Sequence, residues 1–221
     1  MTSGLVKICG LSTPETLEAA LAAGADMVGF VFYPRSPRHL SLEAARGLIA
    51  SARGRAETVA LLVDPSDAEI DAVTALGVDQ LQLHGAESPE RVAAIAARTG
   101  RPVMKAIGIA GTDDLAALDR YPLADRLLLD AKPPSAGALP GGNGLRFDWA
   151  LLAGLDPRAP IMLSGGLDPD NVAEAIRRTG VRAVDVSSGV ESRPGLKDPA
   201  KIAAFVAAAR AGFAAQHEDA L

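Results

Sequence analysis

Apolar runs with strand character recur along this chain at intervals that each leave room for one helix and two loops. The runs close near Cys9, Phe32, Val63, Leu83, Ile107, Leu129, Leu163 and Val186, giving spacings of 23, 31, 20, 24, 22, 34 and 23 residues. That interval suits a strand followed by a helix, and it persists through 221 residues without a break in composition. Met27–Phe32, Val59–Val63 and Ile161–Leu163 are continuously apolar, as parallel strands covered on both faces must be. Between the runs, Ile70, Val73 and Leu76 fall on one helical face, as do Val172, Ala175 and Ile176, and Ile202, Phe205, Val206 and Ala209. A capping residue followed by proline marks helix starts at Thr13-Pro14, Ser88-Pro89, Asp168-Pro169 and Asp198-Pro199. The expected fold is α/β: a single (β/α)8 barrel over residues 1–221, with eight parallel strands ringed by helices. A doubly wound open sheet is the alternative.

Composition narrows the function classes. A hydrophobic share of 48% with 22% charged residues is ordinary for a packed core, and the net charge of −5 argues against a nucleic-acid partner. The single cysteine excludes an internal disulfide and leaves a structural zinc without its usual thiolates. His39, His84 and His217 fall in an inserted loop, a strand mouth and the tail, so a metal site is not expected. The longest charge-free stretch, Pro133 to Leu145, is rich in Pro and Gly, so no membrane span is expected. With no basic-then-apolar leader before the first run, the expectation is a cytoplasmic protein. On so Ala-rich a chain exposed apolar faces are not told from core faces, and a monomer is favoured over a homodimer.

Chemistry-bearing residues cluster where the runs end. In Leu5-Val6-Lys7-Ile8-Cys9-Gly10, strand alternation puts Lys7 and Cys9 on one face, where the ammonium biases the thiol toward thiolate. A small buried hydrophobe is the blander outcome for a lone cysteine. The two widest spacings follow Phe32 and Leu129, at strand C-termini, the face on which such barrels build active sites. The first insertion carries Arg35 and Arg38 around Pro37, and Arg38 suits a carboxylate if it is not simply solvated. The second carries Gly141-Gly142-Asn143-Gly144, long enough to act as a lid, or to be a slack surface connection. Asp130 ends an apolar run, where a carboxyl is costly unless it is solvated, capping, paired with Lys132 or functional. Gln82 and His84 share a face at the fourth mouth, and a hydrogen-bonded structural histidine is the common outcome there. Gly165-Gly166 after the seventh run and Ser187-Ser188-Gly189 after the eighth form loops suited to a phosphate. Strands one and six are three steps apart around eight, so Cys9 and Asp130 can face each other as base and acid.

Taken in order, Lys7-Ile8-Cys9-Gly10, Gly29 through Arg38, Gln82-Leu83-His84-Gly85, Leu129-Asp130, Gly141 through Gly144 with Phe147-Asp148-Trp149, Leu163 through Leu167, and Asp185 through Glu191 resemble the signature blocks of phosphoribosylanthranilate isomerases. The resemblance implies a barrel enzyme of tryptophan biosynthesis that turns N-(5-phosphoribosyl)anthranilate into 1-(2-carboxyphenylamino)-1-deoxyribulose 5-phosphate by a cofactor-free Amadori rearrangement. It further implies Cys9 as base and Asp130 as acid, with Lys7, Arg38, Gln82, His84 and Asp185 binding substrate. Arg38 would hold the anthranilate carboxylate. Gly165, Gly166, Ser187, Ser188 and Gly189 would hold the phosphate, under a lid of Gly141, Gly142, Asn143 and Gly144. Two features depart from the family pattern: Ala131 follows the aspartate, and the lid stem Pro133 to Pro140 is unusually apolar. A catalytically silent phosphoribosyl-binding barrel is the reading from another class, and the retained Cys9 and Asp130 argue against it.

Overall fold

A computed structural model describes residues 4–133, 139–152, 155 and 159–218. The strands are β1 (Leu5–Cys9), β2 (Met27–Val31), β3 (Glu57–Leu62), β4 (Gln80–Leu83), β5 (Val103–Ile109), β6 (Arg126–Ala131), β7 (Ile161–Leu163) and β8 (Ala183–Val186). All pair in parallel and in sequence order, and β8 returns to β1, closing a barrel. An open sheet is therefore ruled out. The helices are α1 (Pro14–Ala22), α2 (Leu42–Ala52), α3 (Asp67–Thr74), α4 (Pro89–Thr99), α5 (Val172–Thr179) and α6 (Pro199–Glu218). An antiparallel hairpin, β9 (Glu191–Arg193) with β10 (Leu196–Lys197), precedes α6.

Helix starts follow their capping chemistry, with one exception. Thr13, Ser41, Ser66 and Ser88 each accept a backbone N–H from the first turn, and Ser66 forms a full capping box with Glu69. At Asp168-Pro169 the expected start is displaced: those residues open a turn, and α5 begins at Val172. Asn171 explains the shift. Its side chain donates to Gly166 O and accepts from Asp168 N, tying the turn to the strand-7 loop before the helix can begin.

Two of the expected helices are replaced by 3-10 segments. Thr112–Arg120 winds as a 3-10 segment: Asp114 accepts the Ala110 and Gly111 N–H groups ahead of its first turn, and Tyr121-Pro122 ends the run. Among the described residues between β6 and β7, only Trp149–Leu152 is helical, again 3-10, and Leu139 to Gly142 lie over the barrel mouth.

The core has two compartments. A large annulus between sheet and helices holds Phe30, Leu81, Ile176, Ile202 and Phe205 among many others. A smaller cluster of Met27, Val59, Met104, Ala106, Leu128, Met162 and Ala183 plugs the barrel's lower interior. Above that plug the inward positions turn polar, and Lys7, Gln82, Asp130, Ser164 and Asp185 are all buried there. The barrel thus rests on an apolar floor and carries its chemistry above it.

At the opposite, N-terminal rim, three aspartates perform one repeated task. Asp26, Asp79 and Asp125 each sit just before a strand and accept the backbone N–H of the preceding strand, at Val6, Thr58 and Val103. Asp79 also accepts the Thr58 hydroxyl at 2.7 Å, while its own N–H donates to that oxygen at 3.0 Å. Removing this carboxylate strands the Thr58 donors. Asp79→Ala should therefore destabilise the fold by about 1–3 kcal/mol in a denaturant titration. Turnover measured well below the melting temperature should be unchanged.

Candidate active site

One cleft at the C-terminal mouth gathers Cys9 from β1, Arg38 from the β2–α2 loop, Gln82 and His84 from β4, and Asp130 from β6. Ser164 and Asp185 complete its floor, Ser187 a flank, and Leu139, Pro140, Gly141 and Gly142 its cover. A narrower recess continues from it, lined by Gly142, Gly144, Gly165, Gly166, Ser187 and Ser188. Most of the residues expected from the sequence thus share one connected space. Lys7, Gly189 and Asn143 stand apart. Lys7 is wholly buried behind the cleft wall, Gly189 packs against Asp168 and the strand-7 loop, and Asn143 lines an outer groove where its amide donates to Leu139 O. Of the lid stem, Pro134 to Ala138 lie outside the described residues.

The β1 end is built by register. Lys7 pairs with Asp185 across β1 and β8, and its Nζ donates to Asp185 Oδ1 at 2.7 Å. Ser164 Oγ donates to the other carboxylate oxygen at 3.0 Å, so Asp185 is held from both sides. Cys9 lies opposite Gly29 of β2, and a Cβ there would stand 2.9 Å from Cys9 Sγ and 3.2 Å from Lys7 Nζ. Gly29 is therefore the space into which both reactive groups lean. Gly10 has a comparable reason: it adopts φ +78, and a Cβ would meet Arg38 Cδ at 2.6 Å.

Charge in this corner does not follow the sequence expectation. Burial pulls the Lys7 ammonium down, but Asp185 and Cys9 together outweigh it and leave its pKa above the ordinary lysine value. Burial pushes the Cys9 thiol up, Asp185 adds to that, and the opposing pull of Lys7 and Lys197 does not restore it. The bias from Lys7 has the anticipated sign but loses to desolvation. Cys9 in the free protein is a thiol at neutral pH.

Across the cleft, Asp130 Oδ1 accepts the Ala131 N–H at 2.8 Å, and Oδ2 lies 3.3 Å from His84 Nε2. Gln82 Nε2 sits 3.1 Å from His84 Nδ1. With the Gln82 amide donating to Nδ1, the Nε2–H of the imidazole faces Asp130. Glycines give this group its space as well: Cβ atoms on Gly141 and Gly165 would stand 2.7 and 3.0 Å from the Asp130 oxygens. The lid glycine thus rests directly on the Asp130–His84 pair.

Arg38 is only 5% exposed. Its Nε donates to Glu191 Oε1 at 2.6 Å and its Nη2 to Glu191 Oε2 at 2.9 Å. Lys197 Nζ donates to Glu191 Oε1 at 2.9 Å and to the Ser187 carbonyl at 2.8 Å. Burial lowers the Lys197 pKa to about 8 despite Glu191 beside it. For Glu191, burial works upward, but Arg38 and Lys197 hold the carboxyl below its usual range. Sequence reasoning assigned no role to Glu191, Lys197, Ser164 or Gly29. The Pro194-Gly195 pair was a legible turn signal for the hairpin, whereas nothing local marks Lys197 as buried.

Comparison with known proteins bears on what this arrangement does. A model of the family described as N-(5'-phosphoribosyl)anthranilate (PRA) isomerase matches residues 6–208. An N-(5'-phosphoribosyl)anthranilate isomerase from Azorhizobium caulinodans is 62% identical over 218 residues, covering 98% of this chain and 96% of the relative. The crystal structure of the Thermotoga maritima isomerase superposes with a TM-score of 0.84 at 38% identity, covering 94% and 99% of the two chains. A phosphoribosylanthranilate isomerase solved with reduced 1-(o-carboxyphenylamino)-1-deoxyribulose 5-phosphate gives a TM-score of 0.82 at 36% identity, with the same coverage.

Two outcomes follow from the geometry. The rate of Cys9 alkylation by iodoacetamide should climb with pH through 9 without levelling, because the thiol ionises above its ordinary range. A plateau near neutrality would contradict the dominance of burial. Gly29→Ala should fold with about 1–3 kcal/mol lost to overpacking. It should also lose at least ~10-fold in turnover, read by steady-state kinetics, because the new methyl displaces Sγ.

Proposed function

The chain belongs to the N-(5'-phosphoribosyl)anthranilate isomerase family and performs that isomerisation in tryptophan biosynthesis, and we propose that its own residues divide the work as follows. Asp130, entering as the carboxylic acid, gives its proton to the furanose ring oxygen while the C1–O bond breaks. The anilino nitrogen's lone pair fills in to form a C1=N⁺ iminium. Cys9 as thiolate removes the C2 proton. The C2–H electrons become a C1=C2 bond, and the C=N π electrons return to nitrogen, giving an enolamine. Loss of the O2 proton and gain of one at C1 then leaves the ketone. The observation that supports this pairing is that a thiol and a carboxyl, three strands apart, line the same covered cleft.

The surroundings fit these roles. The ionised fraction of Cys9 does the chemistry, and the cationic iminium beside it favours that form as C2 becomes acidic. Lys7 keeps its proton throughout and acts from behind, stabilising the developing thiolate while Asp185 anchors it. His84, donating to Asp130, steadies the carboxylate left after proton transfer. Arg38 takes the anthranilate carboxylate on the guanidinium edge not used by Glu191. The recess at Gly165, Gly166, Ser187 and Ser188 takes the phosphate, where left-handed backbone at both glycines, φ +83 and +63, brings the main chain close. Gly141 and Gly142 close over the acid and the arginine, excluding water from the iminium.

We further propose that the enzyme works as a cytoplasmic monomer on this small phosphoribosyl substrate. The large exposed apolar side chains among the described residues, Leu42, Leu123, Leu145 and Leu196, lie on four separate segments, and no helix there is long and apolar enough to cross a membrane. Light scattering at micromolar concentration should give a mass near 22.6 kDa.

Cys9→Ala and Asp130→Asn should each lower kcat by ~10²- to 10⁴-fold. Both should keep the wild-type melting curve and still bind the reduced product analogue. Both should also fail to rescue a tryptophan auxotroph lacking the isomerase. Near-normal turnover in either variant would reject the pairing.

A further inference from the structure

Glu191 reaches the site from outside the barrel, on a hairpin the barrel architecture does not require. It pairs with Lys197 across the two short strands of that hairpin, which sets the carboxylate and the ammonium side by side. The carboxylate is almost fully buried, and four donors surround it: Arg38 Nε and Nη2, Lys197 Nζ, and the Gly195 N–H at 3.2 Å. The residue's own carbonyl accepts Lys201 Nζ at 2.8 Å, fixing the hairpin to α6. Lys197 Nζ in turn accounts for the Ser187 carbonyl and hydroxyl, at 2.8 and 3.1 Å. One connected path therefore runs Arg38–Glu191–Lys197–Ser187, from the carboxylate end of the cleft to its phosphate end.

The geometry at Arg38 gives that path a purpose. Glu191 occupies the Nε/Nη2 edge of the guanidinium, Nη2 also donates to the lid's Gly142 carbonyl at 3.4 Å, and the remaining Nη1 points at the same glycine, where a Cβ would lie 2.5 Å from it. A planar fork gripped along one edge cannot rotate, so its Nη1 side keeps a single direction. An unpaired arginine on the Tyr33–Leu40 loop would spread over several rotamers and lose that aim.

We propose that Glu191 is the positioning residue that turns Arg38 toward the aryl carboxylate of the substrate, and so sets the preference for a carboxylated aromatic amine. The proposal rests on the assignment of Arg38 as the carboxylate's partner. Glu191 does not act as a stand-in that the substrate displaces: leaving its seat would strand Lys197 and the Gly195 N–H as well as its own charge. Lys197 couples the same element to the phosphate loop, so both ends of the ligand are registered against one hairpin.

Two reduced product analogues test this by calorimetry, 1-(2-carboxyphenylamino)-1-deoxypentitol 5-phosphate and its counterpart without the carboxyl. In the wild type the carboxylated analogue binds more tightly, and the ratio of the two Kd values measures carboxylate recognition. Glu191→Gln should cut that ratio at least 10-fold while the uncarboxylated analogue binds within 2-fold of wild type. KM should rise with kcat within about 3-fold, and adding Arg38→Ala should cost nothing further. If Arg38→Ala collapses the ratio but Glu191→Gln leaves it intact, the positioning role is overturned and the Arg38 assignment stands. An equal loss for both analogues marks a merely structural role and overturns the proposal. An unchanged ratio in Arg38→Ala removes the Arg38 assignment and this inference with it. Should Glu191→Gln not fold, the wild-type Arg38 Nε–H resonance decides. Its hydrogen-bonded shift and slow exchange should persist when the carboxylated analogue binds, and their loss would mean that Glu191 is displaced.

Discussion

Between the first and last strands, Lys7 and Asp185 face each other in register and share a 2.7 Å ion pair whose lysine is fully buried. An unpaired lysine in that position would be prohibitively costly, so the two strands that close the barrel must meet with this register and no other. A slip of one residue would turn Lys7 into the helical layer and Cys9 away from the cavity. The same pair determines how Cys9 ionises. Its carboxylate holds the ammonium in place, and its residual negative charge opposes the thiolate. The joint that completes the fold and the setting of the base are one interaction.

Around that joint, charge is arranged in buried, partnered groups rather than exposed ones. Lys7 with Asp185 and Ser164, Arg38 with Glu191 and Lys197, and Asp130 with His84 and Gln82 form three clusters about one cleft. A fourth pair, Lys105 with Glu87, sits at the neighbouring mouth and ties down the loop after His84 through the Gly85 carbonyl and N–H. Each group has its partners before substrate arrives, so little reorganisation is left for the chemical step. Glycines do the complementary work. Gly29, Gly141 and Gly165 each stand where a methyl would collide with Cys9 or Asp130.

Much of the fold was legible because barrel strands and helices leave local signatures: continuous apolar runs, single-faced helical repeats, and capping residues before proline. The displaced start of α5 was not legible, since Asn171 decides it by reaching Gly166 O across the strand-7 loop. The two 3-10 segments were not legible either, since the apolar spacing that marks a helix does not separate i→i+3 from i→i+4 winding over so short a run. Within the site, Cys9, Asp130, Arg38 and the glycine loops were marked by their places at strand ends. Lys197 was not, because burial of a lysine depends on a hairpin that its own neighbourhood only hints at.

The sequence by itself determined which residues share a strand face and at which end of a strand polar ones such as Cys9, His84 and Asp130 fall, because period-two alternation and strand spacing are properties of the local chain. It also supplied the sign of one charge's influence, the downward pull of Lys7 on Cys9. Only the tertiary structure decided which influence prevails. Desolvation depends on everything that surrounds a group, and closing β8 against β1 buries Cys9 deeply enough that its proton stays despite two neighbouring ammonium groups.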